Sequence, residues 1–116
     1  MISKTINSFK NAFRGIRTTW QEELNFRIEL AVTLVVLVLM IMFRFSFGES
    51  ALCIVAIVLV LSAEIVNTVV EDLCNKVEPA YDSAIGKIKD TMAGLVFVSS
   101  LGAFVLGILV FWHHFL

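Results

Sequence analysis

Charge is scarce in this chain. Only 16% of its 116 residues are Asp, Glu, Lys or Arg, and the two signs cancel to a net charge of -1. Without a basic excess there is no electrostatic footprint for a nucleic-acid backbone, and no nucleic-acid partner is expected. Proline appears once, and Gly/Ser-rich runs are missing, so no linker divides the chain. A single membrane domain over residues 1–116, without a disordered tail, is the expectation. The two cysteines, Cys53 and Cys74, stand 21 residues apart and fit no metal or redox spacing. They read as free thiols. The first 27 residues lack a short apolar core with a small-residue cleavage site, so they do not read as a signal peptide. A G-x-x-x-x-G-K-[ST] loop and a kinase-type glycine-rich loop are also missing. Any nucleotide site here must be of another kind.

Apolar residues, by contrast, make up 59% of the chain, and its mean hydropathy is +0.90. A soluble domain of this length has too little interior to hide them, so a membrane must act as part of the solvent. Three apolar stretches stand out, over 30–48, 50–70 and 91–112. Each is close to the ~20 residues that carry a helix across ~30 Å of hydrocarbon. They are too long for barrel strands, and a spanning helix satisfies its own backbone. The first link is short, around Phe47, Gly48, Glu49 and Ser50. The second, over 72–90, contains Pro79 and the cap candidates Asp82 and Ser83.

Ahead of the first span, Phe9, Ala12, Phe13, Ile16 and Trp20 recur at helical steps, with Lys10, Arg14 and Arg17 between them. That is the pattern of a helix lying in a membrane interface. The fold class expected is an all-α membrane protein with three transmembrane helices and an N-terminal amphipathic surface helix. The surface helix is expected over 4–27 and the spans over 29–48, 50–71 and 90–112. Lys4, Lys10, Arg14, Arg17 and Arg27 precede the first span, and Lys76, Lys87 and Lys89 fill the second link, against Arg44 alone on the other side. The positive-inside rule then places the N-terminus in the cytoplasm and the C-terminus outside. The buried and interfacial acids are all expected towards the cytoplasmic side. Ser99, Ala103 and Gly107 form a small-residue ladder on the third span, which suits close helix packing and an oligomer.

The chemistry-bearing residues cluster at the end of the second span. Glu64, Asn67 and Glu71 are spaced 0, 3 and 7, so they share one helix face. Glu71 sits at the interface, and Glu64 lies roughly 10 Å deeper at 1.5 Å per residue. An acid at that depth suits a proton acceptor, or a protonated group bonded to a neighbouring helix. Glu23 and Glu71 fall in one plane. Two such carboxylates suit Mg²⁺, which typically takes one or two of them plus phosphate oxygens. Lys87, Lys89 and Asp90 open the third span at that level. The lysines can meet phosphates or serve as ordinary cytoplasmic anchors. His113 and His114, at the outer end, are too few for a metal site.

These strings resemble a known family. Glu64-Ile65-Val66-Asn67-Thr68-Val69-Val70-Glu71 is similar to the E-[IL]-[LV]-N-[ST]-A-[IV]-E signature of the prokaryotic diacylglycerol kinases. Lys89-Asp90 resembles that family's K-D pair at the start of its last helix. Gly15-Ile16-Arg17, Trp20, Glu23 and Phe26-Arg27-Ile28-Glu29 resemble its surface-helix pattern. The resemblance runs over nearly the whole chain. It departs at Asn75, where the signature often continues to an Asp.

The resemblance implies an ATP-dependent lipid kinase of the bacterial inner membrane, working as a homotrimer with sites between subunits. It implies Glu64 as general base, and Glu23 and Glu71 as holders of Mg²⁺ against the ATP phosphates. Tyr81, Lys89 and Asp90 would belong to the nucleotide site. Arg17, Trp20, Phe26, Arg27 and Glu29 would line the lipid entrance, with Asn67 beside Glu64. An undecaprenol kinase is the related alternative. A transporter would also use a buried Glu64, but it predicts polar residues across the whole membrane, and 51–61 and 92–112 offer almost none. A membrane partner subunit without chemistry leaves the matched depths of Glu23, Glu71 and Lys89 without a reason.

Overall fold

Four helices follow one another: α1 over Ile2–Glu22, α2 over Leu24–Met42, α3 over Phe47–Val77 and α4 over Ser83–Phe115. The structure is a computed structural model that describes residues 1–80 and 82–116, and among these there is no strand. Helices α2, α3 and α4 are each long and apolar enough to cross a membrane. The all-α membrane architecture is as the sequence implies. The helix limits differ in three places.

The first difference is the end of the surface helix. It stops at Glu22 rather than near residue 27, because Glu23 is extended (φ -117, ψ 111). No proline or glycine forces this break. Phe26 and Arg27 therefore sit on α2. The second difference is the α2–α3 link, which lies at Phe43–Ser46 rather than around Phe47–Ser50. There the Arg44 backbone is left-handed (φ 53). The Arg44 N–H donates to the Ile41 carbonyl at 3.4 Å and the Phe45 N–H to the Met40 carbonyl at 3.1 Å, the paired bonds of a Schellman stop. Ser46 then caps α3: its Oγ accepts from the Glu49 N–H at 3.2 Å while Glu49 Oε1 accepts from the Ser46 N–H at 2.8 Å. The third difference is that α3 and α4 continue past the apolar spans, leaving only a short connection after Val77. Beyond the membrane their polar residues are solvated without unwinding. Helix α3 ends where Glu78, next to Pro79, turns extended (φ -144, ψ 94). Helix α4 begins where Asp82 accepts from the Ala84 and Ile85 N–H groups.

Helix α3 is the centre of the bundle and packs against the other three, whereas α4 packs on α3 alone. Its buried Glu49, Cys53, Ala56, Ala63, Asn67 and Cys74 recur at steps of three, four and seven. On α4 the less exposed Ile85, Lys89, Met92, Val96, Ser99, Ala103, Leu106 and Val110 recur at alternating four and three. These are the seams of an antiparallel pair in knobs-into-holes register. Lipid tails are as apolar as leucine, so the drive here is close packing of small residues. A leucine at Ala63 or Ala103 would wedge the pair apart at a cost of ~1–3 kcal/mol.

The molecule measures 52 × 42 × 21 Å. The long dimension matches the 33 residues of α4 at ~1.5 Å each. The second dimension needs α1 to project sideways from the bundle. Its apolar side chains stay open: Phe9, Phe13, Ile16 and Trp20 are 44–69% exposed, as an interfacial helix requires.

Candidate functional site

The chain brings carboxylates from three elements to one end of the bundle. Helices α2 and α3 run antiparallel, so descending α2 from Glu23 to Glu29 matches descending α3 from Glu71 to Glu64. The result is two tiers. Glu23 neighbours Glu71 in the upper tier, and Glu29 neighbours Glu64 in the lower. Asn67 stands between them. Its Nδ2 donates to Glu71 Oε1 at 3.2 Å. The Thr68 hydroxyl donates to the Glu64 carbonyl at 3.0 Å, one turn back along the helix.

The lower tier is starved of donors. Glu64 is 1% exposed, yet neither of its carboxyl oxygens has a hydrogen-bond partner, nor has Glu29 Oε2 or Asn67 Oδ1. Buried polar atoms are almost always paired, because leaving one unpaired costs about 1–3 kcal/mol. With both carboxyls ionised these four oxygens have no donor, so the site seeks a proton, a hydroxyl or a cation, and the Glu29 and Glu64 carboxyls lie close enough to share a proton. Three of the four oxygens belong to the 64–67–71 face of α3 read in the sequence, and Glu29 reaches that face from α2.

The upper tier is wetter. Burial holds the Glu23 carboxyl above the usual carboxylate range, and the Glu71 charge and carboxyl contact add to this; the Glu64 charge contributes further, while the Thr68 hydroxyl opposes. At the fully exposed rim, Glu22 is raised mainly by sharing a hydrogen bond with Asp72. Among the described residues, no group of three or more His, Cys, Asp and Glu side chains could hold a metal ion. Two facing carboxylates remain, with the unpaired Asn67 oxygen beside them. That donor set is hard and oxygen-only, and incomplete without outside ligands. It fits Mg²⁺, which keeps waters or phosphate oxygens, better than a cation that needs a closed protein cage.

Lys89 reaches this region from α4, its Nζ donating to Asn75 Oδ1 at 2.6 Å. Asp90 does not join it. It lies off the α3-facing seam and lines a recess of about 510 Å³ with Ser83, Gly86, Lys87 and Thr91. Arg17, Trp20 and Arg27 are exposed, whereas Phe26 is 2% exposed and packs inside. Phe26 therefore shapes a wall and offers no surface. Tyr81 lies outside the described residues. Beneath Glu29, an apolar groove of about 540 Å³ opens between α2 and α4, with Thr33, Cys53, Ala103 and Gly107 among its walls.

One buried acid departs from this grouping, against the expectation that all of them share one side. Glu49, 8% exposed, sits at the far end of α3. Its carboxylate accepts from the Nδ1–H groups of His113 and His114 at 3.1 and 3.0 Å. Histidines too few for a metal site therefore clip α4 to α3. The only sequence signal was the Ser46-x-x-Glu49 spacing, which marks the acid but not its partners.

Three helices able to cross a membrane, with carboxylates from three elements gathered at one end of them, frame a site embedded in the spans. Comparison with known proteins narrows the reading. Residues 10–111 match the family described as prokaryotic diacylglycerol kinase. Diacylglycerol kinases of Escherichia coli K12 and O157:H7 and of Shigella flexneri are each 24% identical over 113 residues, covering 97% of this chain and 93% of theirs. The chain belongs to the prokaryotic diacylglycerol kinase family, and so to the membrane-embedded lipid kinases.

Proposed function

We propose that this protein transfers the γ-phosphoryl group of ATP to the hydroxyl of diacylglycerol, yielding phosphatidic acid and ADP at the cytoplasmic face of the bacterial inner membrane. One observation carries the reading: Glu64 is buried, and its ionised carboxylate has no hydrogen-bond donor, about two helical turns below Glu71. A lipid hydroxyl entering sideways from the bilayer supplies the missing donor. It gives its hydrogen bond, and then its proton, to Glu64 as its oxygen bonds to the γ-phosphorus. The bond from phosphorus to the bridging oxygen breaks, and the electron pair leaves with ADP.

Asn67 holds the Glu71 carboxylate through the Nδ2 bond at 3.2 Å. Glu23 and Glu71 would hold Mg²⁺, which when bound neutralises charge on the phosphates. Lys89 faces the phosphates from α4, with Tyr81 and Asp90 belonging to the nucleotide side. Arg17, Trp20, Arg27 and Glu29 flank the lipid entrance, and buried Phe26 supports it. The N-terminus lies inside and the C-terminus outside. The open groove between α2 and α4, walled in part by Ala103 and Gly107, supports a homotrimer in which neighbouring copies complete the sites.

The test is ATP consumption and labelled lipid product in mixed micelles containing diacylglycerol, undecaprenol or neither. Diacylglycerol should give the largest lipid-dependent rate. A larger rate with undecaprenol would reassign the substrate, and a rate indifferent to lipid would overturn the proposal.

A further inference from the structure

The α3–α4 pair touches through long-range side-chain hydrogen bonds at its two ends. The outer end carries the Glu49–histidine clip, and the cytoplasmic end carries the bond from Lys89 Nζ to Asn75 Oδ1 at 2.6 Å. Asn75 extends the face of Glu64, Asn67 and Glu71 by one more turn, four residues beyond Glu71. Lys89 sits on the α4 seam at the Ile85–Lys89–Met92 steps, so its stem is directed towards that face. A lysine side chain carries large rotamer freedom and a compact charge on four flexible carbons. Unanchored, that ammonium can fall onto Glu71, one turn away, and be neutralised by it.

We infer that Asn75 is the positioning residue for Lys89. Its amide oxygen fixes the ammonium without cancelling the charge, so Lys89 stays fully positive for the anionic phosphates. A carboxylate at the same place would hold the lysine equally well but compete with the phosphates for it. A neutral acceptor gives both orientation and an unspent charge. The inference rests on the kinase reading of Lys89, and it adds a residue that itself touches no reacting atom.

The test measures KM for Mg-ATP and kcat separately, for the full-length protein in mixed micelles, at two salt concentrations. Asn75 is exposed, so its variants should fold, and a thermal profile checks this. Asn75→Ala should raise KM for Mg-ATP roughly fivefold, the worth of one hydrogen bond, with kcat little changed. Asn75→Gln should recover most of that loss. Asn75→Asp should also raise KM, and its defect should shrink at high salt because an exposed ion pair is screened. Lys89→Met should show the larger KM defect. If Lys89→Met is impaired while Asn75→Ala and Asn75→Asp match the parent, the positioning role is wrong and the kinase reading stands. If Lys89→Met keeps the parental KM, the phosphate role of Lys89 falls and this inference falls with it.

Discussion

Replacing Glu49 with alanine should loosen the end of the bundle where α3 begins by about 2–4 kcal/mol. The figure follows from what its carboxylate holds. It is 8% exposed and accepts from the Ser46 N–H at 2.8 Å, His113 at 3.1 Å and His114 at 3.0 Å. Half of a capping box is worth roughly 0.5–1 kcal/mol. The His114 side chain is only 20% exposed, so its bond to a charged acceptor falls in the range of about 1.5–3 kcal/mol. The His113 side chain is 81% exposed, and a pair so open to water is worth close to nothing. His114→Ala should therefore reproduce most of the Glu49→Ala loss, and His113→Ala almost none. The assay is denaturant unfolding in mixed micelles, arranged as a Glu49/His114 double-mutant cycle. Turnover at saturating substrate should be unchanged in the folded fraction, because Glu49 lies 22 residues of helix from Glu71. Strict additivity in the cycle, or a Glu49→Ala loss under about 0.5 kcal/mol, would refute the clip.

Two further outcomes follow from local structure. Glu23 is raised by burial first and by Glu71 next, so the folded state holds its proton more tightly than the unfolded chain does. Stability should then be highest below the ordinary carboxylate value of 4.5 and fall as pH climbs through the raised folded value. Mg²⁺ should offset that fall in the parent, and Glu23→Gln should flatten both the pH and the Mg²⁺ dependence of thermal unfolding. At Arg44, held at φ 53, glycine relieves a left-handed strain of about 1 kcal/mol. Thermal midpoints should therefore run Gly above Arg above Val, and Val equal to Arg would contradict the reading.

Sequence and structure agree where a single physical signal dominates. The three spans follow from apolar length, and the Glu64–Asn67–Glu71 face follows from helical period. The break at Glu23 escaped because no proline or glycine marks it; the residue turns where its carboxyl meets α3. The link before α3 lies ahead of Phe47–Ser50 because the Ser46–Glu49 capping box starts the helix there. Helices α3 and α4 outrun the membrane because polar residues end a hydropathy run without ending a helix. The pairing of Glu29 with Glu64 needed antiparallel depth as well as period. The histidine contacts to Glu49 span 64 and 65 residues, a distance over which no local pattern speaks. Phe26 sat in an entrance motif yet is buried, since it lies on α2 facing inward.

In the proposed reaction Glu64 removes a proton from the lipid hydroxyl. Glu64→Gln keeps the shape and the hydrogen-bonding capacity of the side chain but takes away its ability to accept that proton. The measurement is phosphorylated diacylglycerol formed per minute by purified Glu64→Gln protein beside the parent, with both unfolding profiles. Turnover should fall ~10²-fold or more, with KM for lipid and Mg-ATP little changed. Stability should hold or rise, because a buried carboxyl without partners becomes a neutral amide. Near-parental turnover in a folded Glu64→Gln protein would contradict the account and leave Glu64 as a structural hydrogen-bonding group.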